Sequence, residues 1–372
     1  MSLRIAHVSD FYAPRCGGVE VHVSDLAVRQ AAQGHTVDVL TATPGPLEPP
    51  RDGVGTVRLA AGGWMPGFRP AVRAALREAI AAGRYDVVHA HAGPVTPLAF
   101  SAAALGAERP TVVTVHSMAG PAEKWFRALD RATGWSSWPV LWTAVSAAAA
   151  APLARLVGPR VEVLPNGIDV AAWRVPPVTR DPDDVVAVAV MRLASRKRPL
   201  PLVRLLQWAH GLCDSGIRLR TVVIGDGPQR GRVERYVERH GLSGQIELAG
   251  RRSRAEVRQA LARADVFVAP AVLESFGIAA LEARCAGVPV ISRREGGTRE
   301  FIRHGREGLL VSDDASMARA LAALANDPDR RHRIAAHNRA VPPVQDWSNV
   351  LGRTEELYHR AGASARSRKL VA

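Results

Sequence analysis

Two glutamates, Glu274 and Glu282, are separated by seven residues in the run Glu274-Ser275-Phe276-Gly277-Ile278-Ala279-Ala280-Leu281-Glu282. Gly277 stands where a helix would begin, and a helix N-terminus offers free backbone N–H groups to an anion. Carboxylates suit the hydroxyl pairs of sugars, which they bind as double acceptors. Upstream lies Met191-Arg192-Leu193-Ala194-Ser195-Arg196-Lys197-Arg198, directly after an apolar run. Only three lysines occur, Lys124, Lys197 and Lys369, against 46 arginines. Lysine at 197 therefore marks a place for a compact point charge rather than a planar fork. Arg192 and Lys197 across a strand-to-helix turn could clamp a diphosphate.

The first half offers two further stretches. Asp10-Phe11-Tyr12-Ala13-Pro14-Arg15-Cys16-Gly17-Gly18-Val19-Glu20 joins an apolar strand to a helix, and its glycine pair lets backbone approach a ligand closely. The spacing is not G-x-G-x-x-G, so the fingerprint of a nicotinamide dinucleotide site is absent. His116 ends the apolar run Thr111–Val115 and is aimed where strand ends meet a ligand. Two surface features are weaker. Trp125, Trp135, Trp138 and Trp142, with Phe126, hold half of the eight tryptophans and fit either an apolar acceptor or a packed helical hairpin. Arg69, Arg73 and Arg77 recur every four residues, a basic stripe that suits an anionic membrane surface as well as plain solvent. Asp181, Asp183 and Asp184 lie in a proline-rich stretch and read as linker, not as metal ligands.

The elements that must position these residues alternate between short apolar strands and helices throughout. This predicts an α/β protein with two doubly wound parallel sheets facing across a cleft. The expected organisation is an N-terminal Rossmann-like acceptor domain over 1–172, a linker over 173–184 and a C-terminal Rossmann-like donor domain over 185–345. A helix over 346–362 is expected to return to the first domain, with a flexible tail over 363–372.

Composition narrows the class. In 372 residues, 47% are hydrophobic and 23% charged, which is globular. The net charge of +14 raises nucleic-acid binding, but the arginine skew reads as codon bias and no nucleic-acid partner is expected. Cys16, Cys213 and Cys285 are far apart and odd in number, arguing against disulfides and a zinc site and for a reducing compartment. No signal segment or bilayer-length apolar run is read, so the expected place is the cytoplasm, at most peripheral on the inner membrane face.

Taken together, these runs resemble the retaining glycosyltransferases of family 4, of GT-B fold. The matching segments are Asp265-Val266-Phe267-Val268-Ala269-Pro270, the E-x7-E, Gly287-Val288-Pro289-Val290, Leu164-Pro165-Asn166-Gly167-Ile168-Asp169 and Gly225-Asp226-Gly227-Pro228. The stretch from Val8-Ser9-Asp10-Phe11-Tyr12 to Gly17-Gly18-Val19-Glu20-Val21-His22 is similar to the phosphatidylinositol N-acetylglucosaminyl- and mannosyltransferase subgroup. The family often has glycine before the arginine and after the lysine, where this chain has Met191 and Arg198.

The resemblance implies a nucleotide-sugar co-substrate, UDP- or GDP-linked, with no further cofactor and no required metal. It implies that Arg192 and Lys197 neutralise the leaving diphosphate, that Glu274 contacts the donor sugar and that Glu282 binds the ribose. Backbone N–H groups around Phe276, Gly277 and Ile278 would hold phosphate, backbone near Gly250–Arg252, including Arg251, would meet the base, and Gly17-Gly18 would close on the diphosphate. His116 would orient the donor sugar. Asp10, Tyr12, Glu20 and Trp125 fall on the acceptor side. The implied reaction is retaining hexosyl transfer, with N-acetylglucosamine ahead of mannose, to an inositol lipid or to a soluble polyol or aminocyclitol. A sugar-nucleotide epimerase and a nucleic-acid binder are the alternatives outside transferases.

Overall fold

The computed structural model describes residues 2–15, 17–46, 52–59, 66–93, 95–118, 123–178, 181 and 183–371. The chain divides into two compact units, Met1–Gly167 with Trp347–Ala372, and Ile168–Asp346.

In the first unit the apolar runs form β1 (Arg4–Ser9), β2 (Thr36–Thr41), β3 (Val54–Arg58), β4 (Val87–Ala92), β5 (Thr111–Val115), β6 (Leu141–Ala144) and β7 (Glu162–Val163). They make one parallel sheet in the order β3-β2-β1-β4-β5-β6-β7. Helices cover both faces, which is why the strands are nearly continuous apolar runs. On one face Ala6, Val8, Val88 and Ala90 pack with Leu76, Ile80, Leu98 and Leu153. On the other, Ile5, Val39, Val87 and Val112 pack with Val23 and Leu26, and with Trp347, Leu351 and Tyr358 from the last helix, Trp347–Val371.

The second unit repeats the plan with β8 (Asp184–Val190), β9 (Arg218–Ile224), β10 (Ile246–Gly250), β11 (Val266–Ala269), β12 (Val290–Arg293) and β13 (Gly308–Val311). Their order is β10-β9-β8-β11-β12-β13, again parallel. Val185, Ala187 and Ala189 pack under Leu202, Leu206, Leu321 and Leu324. In both sheets the strand order reverses beside the first strand, at β1/β4 and at β8/β11. Such a switch point opens a crevice at the carboxyl ends of the strands.

Some expected boundaries move. The second unit begins at Ile168, so the stretch 173–184 lies inside it. Trp173 closes a short helix there and is 1% exposed, and Asp181 and Asp184 pair with Arg218 at 2.8 and 2.5 Å. The final residues, expected to be a loose tail, continue a helix to Val371. Cys213 and Cys285 are unpaired, and burial pushes the Cys285 thiol up to about 12. Cys16 lies outside the described residues.

Candidate active site

The second unit's switch point gathers the residues singled out in its sequence. β8 leads into the loop carrying Arg192 and Lys197, and β11 into the loop carrying Glu274. Lys197 Nζ donates to Glu274 Oε2 at 2.5 Å, with both side chains partly exposed. Arg192 is exposed, and no described residue pairs with its side chain. The loop's shape comes from backbone contacts with Gly225-Asp226-Gly227. Met191 N donates to Ile224 O and Leu193 N to Asp226 O, both at 2.9 Å. A Cβ on Gly225 would stand 1.8 Å from Met191 O, and one on Gly227 2.7 Å from Leu193 O. Only glycine allows that approach.

Arg198 explains the family's preference for glycine after the lysine. Its φ is +61°, a left-handed conformation that glycine adopts freely. Here its side chain bonds Asp314 at 2.7 Å, and Asp314 also pairs with Arg293. Met191 does not take positive φ, and the loop closes without glycine there.

The helix Ile278–Cys285 starts from Gly277 at φ +93°, with no side-chain cap on its first N–H groups. This leaves those donors available to an anion. Phe276 itself is 2% exposed and packs on Phe301, so it contributes backbone only. Glu282 is half-buried, and Arg251 is exposed just after β10. A second glycine pair, which sequence reasoning missed, braces the loop. Gly297 N donates to Glu274 O at 2.7 Å, and a Cβ at Gly297 would stand 2.0 Å from Ser275 O. Its signal was a Gly-Gly after an apolar strand, the same pattern as Gly17-Gly18.

In the first unit, Gly17 and Gly18 open the helix Gly18–Ala32, again without a side-chain cap. Glu20 is buried there and pairs with Arg15 at 3.0 Å, whose guanidinium lies 4.0 Å over the Phe11 ring. Asp10 caps a helix. Its carboxylate accepts from Leu98 N and Ala99 N at 3.0 Å each, and burial pushes its pKa up to about 6. Tyr12 is core, 7% exposed. The tryptophan cluster largely packs inward: Trp135 and Trp142 line the core with Phe126 and Phe100, and Trp125 alone of the four stands out, at 79%. The cluster is packing between the helix Glu123–Thr133, the turn after it and β6, which carries Trp142, rather than the helical hairpin expected. Arg69, Arg73 and Arg77 are all exposed, beside an exposed Phe68. His116 is 5% exposed, its Nε2 3.0 Å from His91 Nδ1, and burial lowers its pKa to about 4.

Comparison with known proteins fits this geometry. Residues 16–172 match the Glycosyltransferase Family 4 model and 175–341 the Glycosyl transferases group 1 model. The D-inositol 3-phosphate glycosyltransferase of a Nocardioides species is 30% identical, over 94% of this chain and 86% of the relative. The chain belongs to the family 4 glycosyltransferases. Another relative of this glycosyltransferase is the phosphatidyl-myo-inositol mannosyltransferase of Mycobacterium leprae, 28% identical over 97% of this chain and 98% of its own. A phosphatidylinositol N-acetylglucosaminyltransferase chain from Arabidopsis thaliana is also 28% identical, over 96% of this chain and 82% of its own. Among solved structures, HepE of Anabaena, crystallised with UDP and glucose, matches with a TM-score of 0.75 at 20% identity, covering 95% of this chain and 98% of HepE. The glycosyltransferase thus has the two Rossmann-like units expected of its class. Among the described residues, no helix is long and apolar enough to cross a membrane.

Proposed function

We propose that this glycosyltransferase moves a hexosyl unit, with retention, from a nucleotide-sugar to a hydroxyl of an inositol-bearing acceptor. The observation that carries the donor reading is the Lys197–Glu274 pair at the second unit's switch point, with Arg192 on the same loop, its side chain unpaired among the described residues. Cleavage of the sugar–phosphate bond leaves negative charge on the departing diphosphate. Two fixed cations act on that charge more in the transition state than in the ground state. Glu274 holds the Lys197 ammonium in place and offers its other oxygen to a sugar hydroxyl. The uncapped N–H groups after Gly277 hold phosphate, Glu282 takes the ribose hydroxyls, and backbone at Arg251 meets the base. The family likeness assigns Gly17 and Gly18 to the diphosphate and His116 to the donor sugar. With no carboxylate nucleophile assigned, the leaving phosphate oxygen takes the acceptor's proton as the new bond forms on the same face.

UDP-N-acetylglucosamine is the donor favoured by the name of the Arabidopsis relative, and HepE was crystallised with UDP; the mannosyltransferase relative makes GDP-mannose the competitor. The acceptor is an inositol lipid or a soluble inositol phosphate. Exposed Arg69, Arg73 and Arg77 with Phe68 support contact with an anionic membrane surface. Thermal-shift titration against UDP- and GDP-sugars tests the donor, since a ligand that binds only the folded state raises Tm. A shift with GDP-mannose alone reverses the donor choice. A product with inverted anomeric configuration by proton NMR overturns retention.

A further inference from the structure

The first unit buries a polar stripe within its sheet. In register, His7 of β1 stands beside His89 of β4, His91 beside Thr114 of β5, and Thr114 beside Thr143 of β6. In-register neighbours share a face, as do residues two apart along a strand, so all five side chains point one way. Each is at most 1% exposed. Gln30 of the helix Gly18–Ala32 and Tyr358 of the last helix meet them from above. His7, His89 and His91 each place a ring nitrogen within 4.8 Å of the others, close enough to share a metal ion. Yet all six of their ring nitrogens already have hydrogen-bond partners. The cluster is a hydrogen-bonded chain.

Its direction follows from one end, a backbone carbonyl, which can only accept. Thr143 Oγ1 donates to Val113 O at 3.2 Å. With its hydrogen committed, Thr143 accepts from Thr114 Oγ1 at 2.7 Å, and Thr114 accepts from His89 Nε2 at 2.7 Å. A neutral imidazole with a hydrogen on Nε2 has a lone pair on Nδ1. So His89 Nδ1 accepts from the Tyr358 hydroxyl at 2.9 Å, and Tyr358 accepts from Gln30 Nε2 at 3.1 Å. That turns Gln30 Oε1 toward His7, whose Nε2 donates at 2.6 Å. His7 Nδ1 then accepts from His91 Nε2, and His91 Nδ1 from His116 Nε2, each at 3.0 Å. The chain ends on His116 Nδ1, a buried atom with no partner among the described residues. Burial lowers the pKa of all four histidines, keeping the rings neutral.

We propose that this ordered chain holds His116 as its Nε2–H tautomer, leaving Nδ1 as an acceptor that takes a hydroxyl and rejects a phosphate or carbonyl oxygen. Gln30, His7 and His91 are positioning residues for it, and Thr143 anchors the order through His89 and Tyr358. The extension to a substrate hydroxyl rests on the role given to His116 above; the tautomer does not.

Long-range proton–nitrogen NMR of the full chain, labelled at histidine, separates the two neutral tautomers. The expected result is a hydrogen on Nε2 and a bare Nδ1 at His7, His89, His91 and His116. A hydrogen on Nδ1 of His91 or His116 in the unaltered protein overturns the proposal. Gln30→Met removes the acceptor for His7 and frees the chain to reverse, so the Nδ1–H form of His116 should appear. Thr143→Val should loosen the order from the other end, and Thr143→Ser should keep it. A folded Gln30→Met protein, by near-ultraviolet circular dichroism, whose His116 stays wholly Nε2–H shows that no order is transmitted, and the proposal fails. If the tautomers behave as expected but the donor KM of Gln30→Met stays at the unaltered value, the hydroxyl assignment falls while the ordering stands.

Discussion

Lys197 stands with Glu274 already beside it, while the Arg192 side chain on the same loop has no partner among the described residues. Lys197→Ala should lower kcat about 10²–10³-fold, the range for losing one fixed group that stabilises developing charge. Its effect on stability should stay within about 1 kcal/mol, since a partly exposed ion pair contributes little to folding. Steady-state kinetics with urea unfolding checks both, and near-normal turnover would remove Lys197 from the diphosphate clamp. A rare lysine in an arginine-rich chain drew attention to this position, and the fold sets it beside Glu274, the other residue singled out. Asp10 and Tyr12 were not legible in the same way. Their neighbours, Leu98 N and Ala99 N for Asp10 and the core for Tyr12, come from sequence-distant elements that spacing cannot reveal.

At the scale of loops and helix ends, two positions carry the conformational demand. Gly277 holds φ +93°, and a Cβ there would stand 2.7 Å from Thr298 Cγ2. Gly277→Ala should cost about 1–2 kcal/mol for the left-handed conformation alone, and weaken binding of a nucleoside diphosphate by displacing the helix start. Chemical unfolding and calorimetric titration with UDP measure the two effects separately; an unchanged UDP affinity in a folded variant would exclude that helix end from the phosphate site. Arg198→Gly relieves the same kind of conformation but gives up the contact with Asp314 at 2.7 Å. The two effects oppose, so its stability should lie within about 1 kcal/mol of the unaltered protein. Alternation of apolar strands and helices made the two sheets readable. The tryptophan run shows the limit: Trp125 and Trp135 are alike in sequence, and only packing makes one 79% exposed and the other 1%.

For the whole molecule, the buried histidines concentrate acid sensitivity in one unit. Burial lowers His7 and His116 to about 4, and holds His22, His89 and His91 well below their usual value of 6.5. The unfolded chain binds these protons as pH falls through 6.5, while the folded unit keeps them off. Their stabilising share is therefore complete above 6.5 and is lost toward 4, by up to about 1.4 kcal/mol per pH unit for each group. Hydrogen exchange at about pH 5 should show β1, β4 and β5 losing protection before β8, β9 and β12. Loss of protection in the second unit first would contradict this assignment. Whole-chain boundaries were less legible than the folds themselves, because the linker-like prolines fall within the second unit rather than at its start.

The first unit is also interrupted: its core is finished by Trp347, Leu351 and Tyr358, which follow the entire second unit along the chain. During synthesis the second unit can therefore complete its fold while the first still lacks one wall. Until residues 347–371 emerge, the sheet face bearing Ile5, Val39 and Val112 keeps the cover of the helix Gly18–Ala32 but lacks that of the last helix, and the polar stripe is missing the hydroxyl that joins Gln30 to His89. A ribosome stalled in the last helix would thus display a protease-resistant second unit beside a susceptible first one, the reverse of the N-terminus-first order usual for multidomain chains.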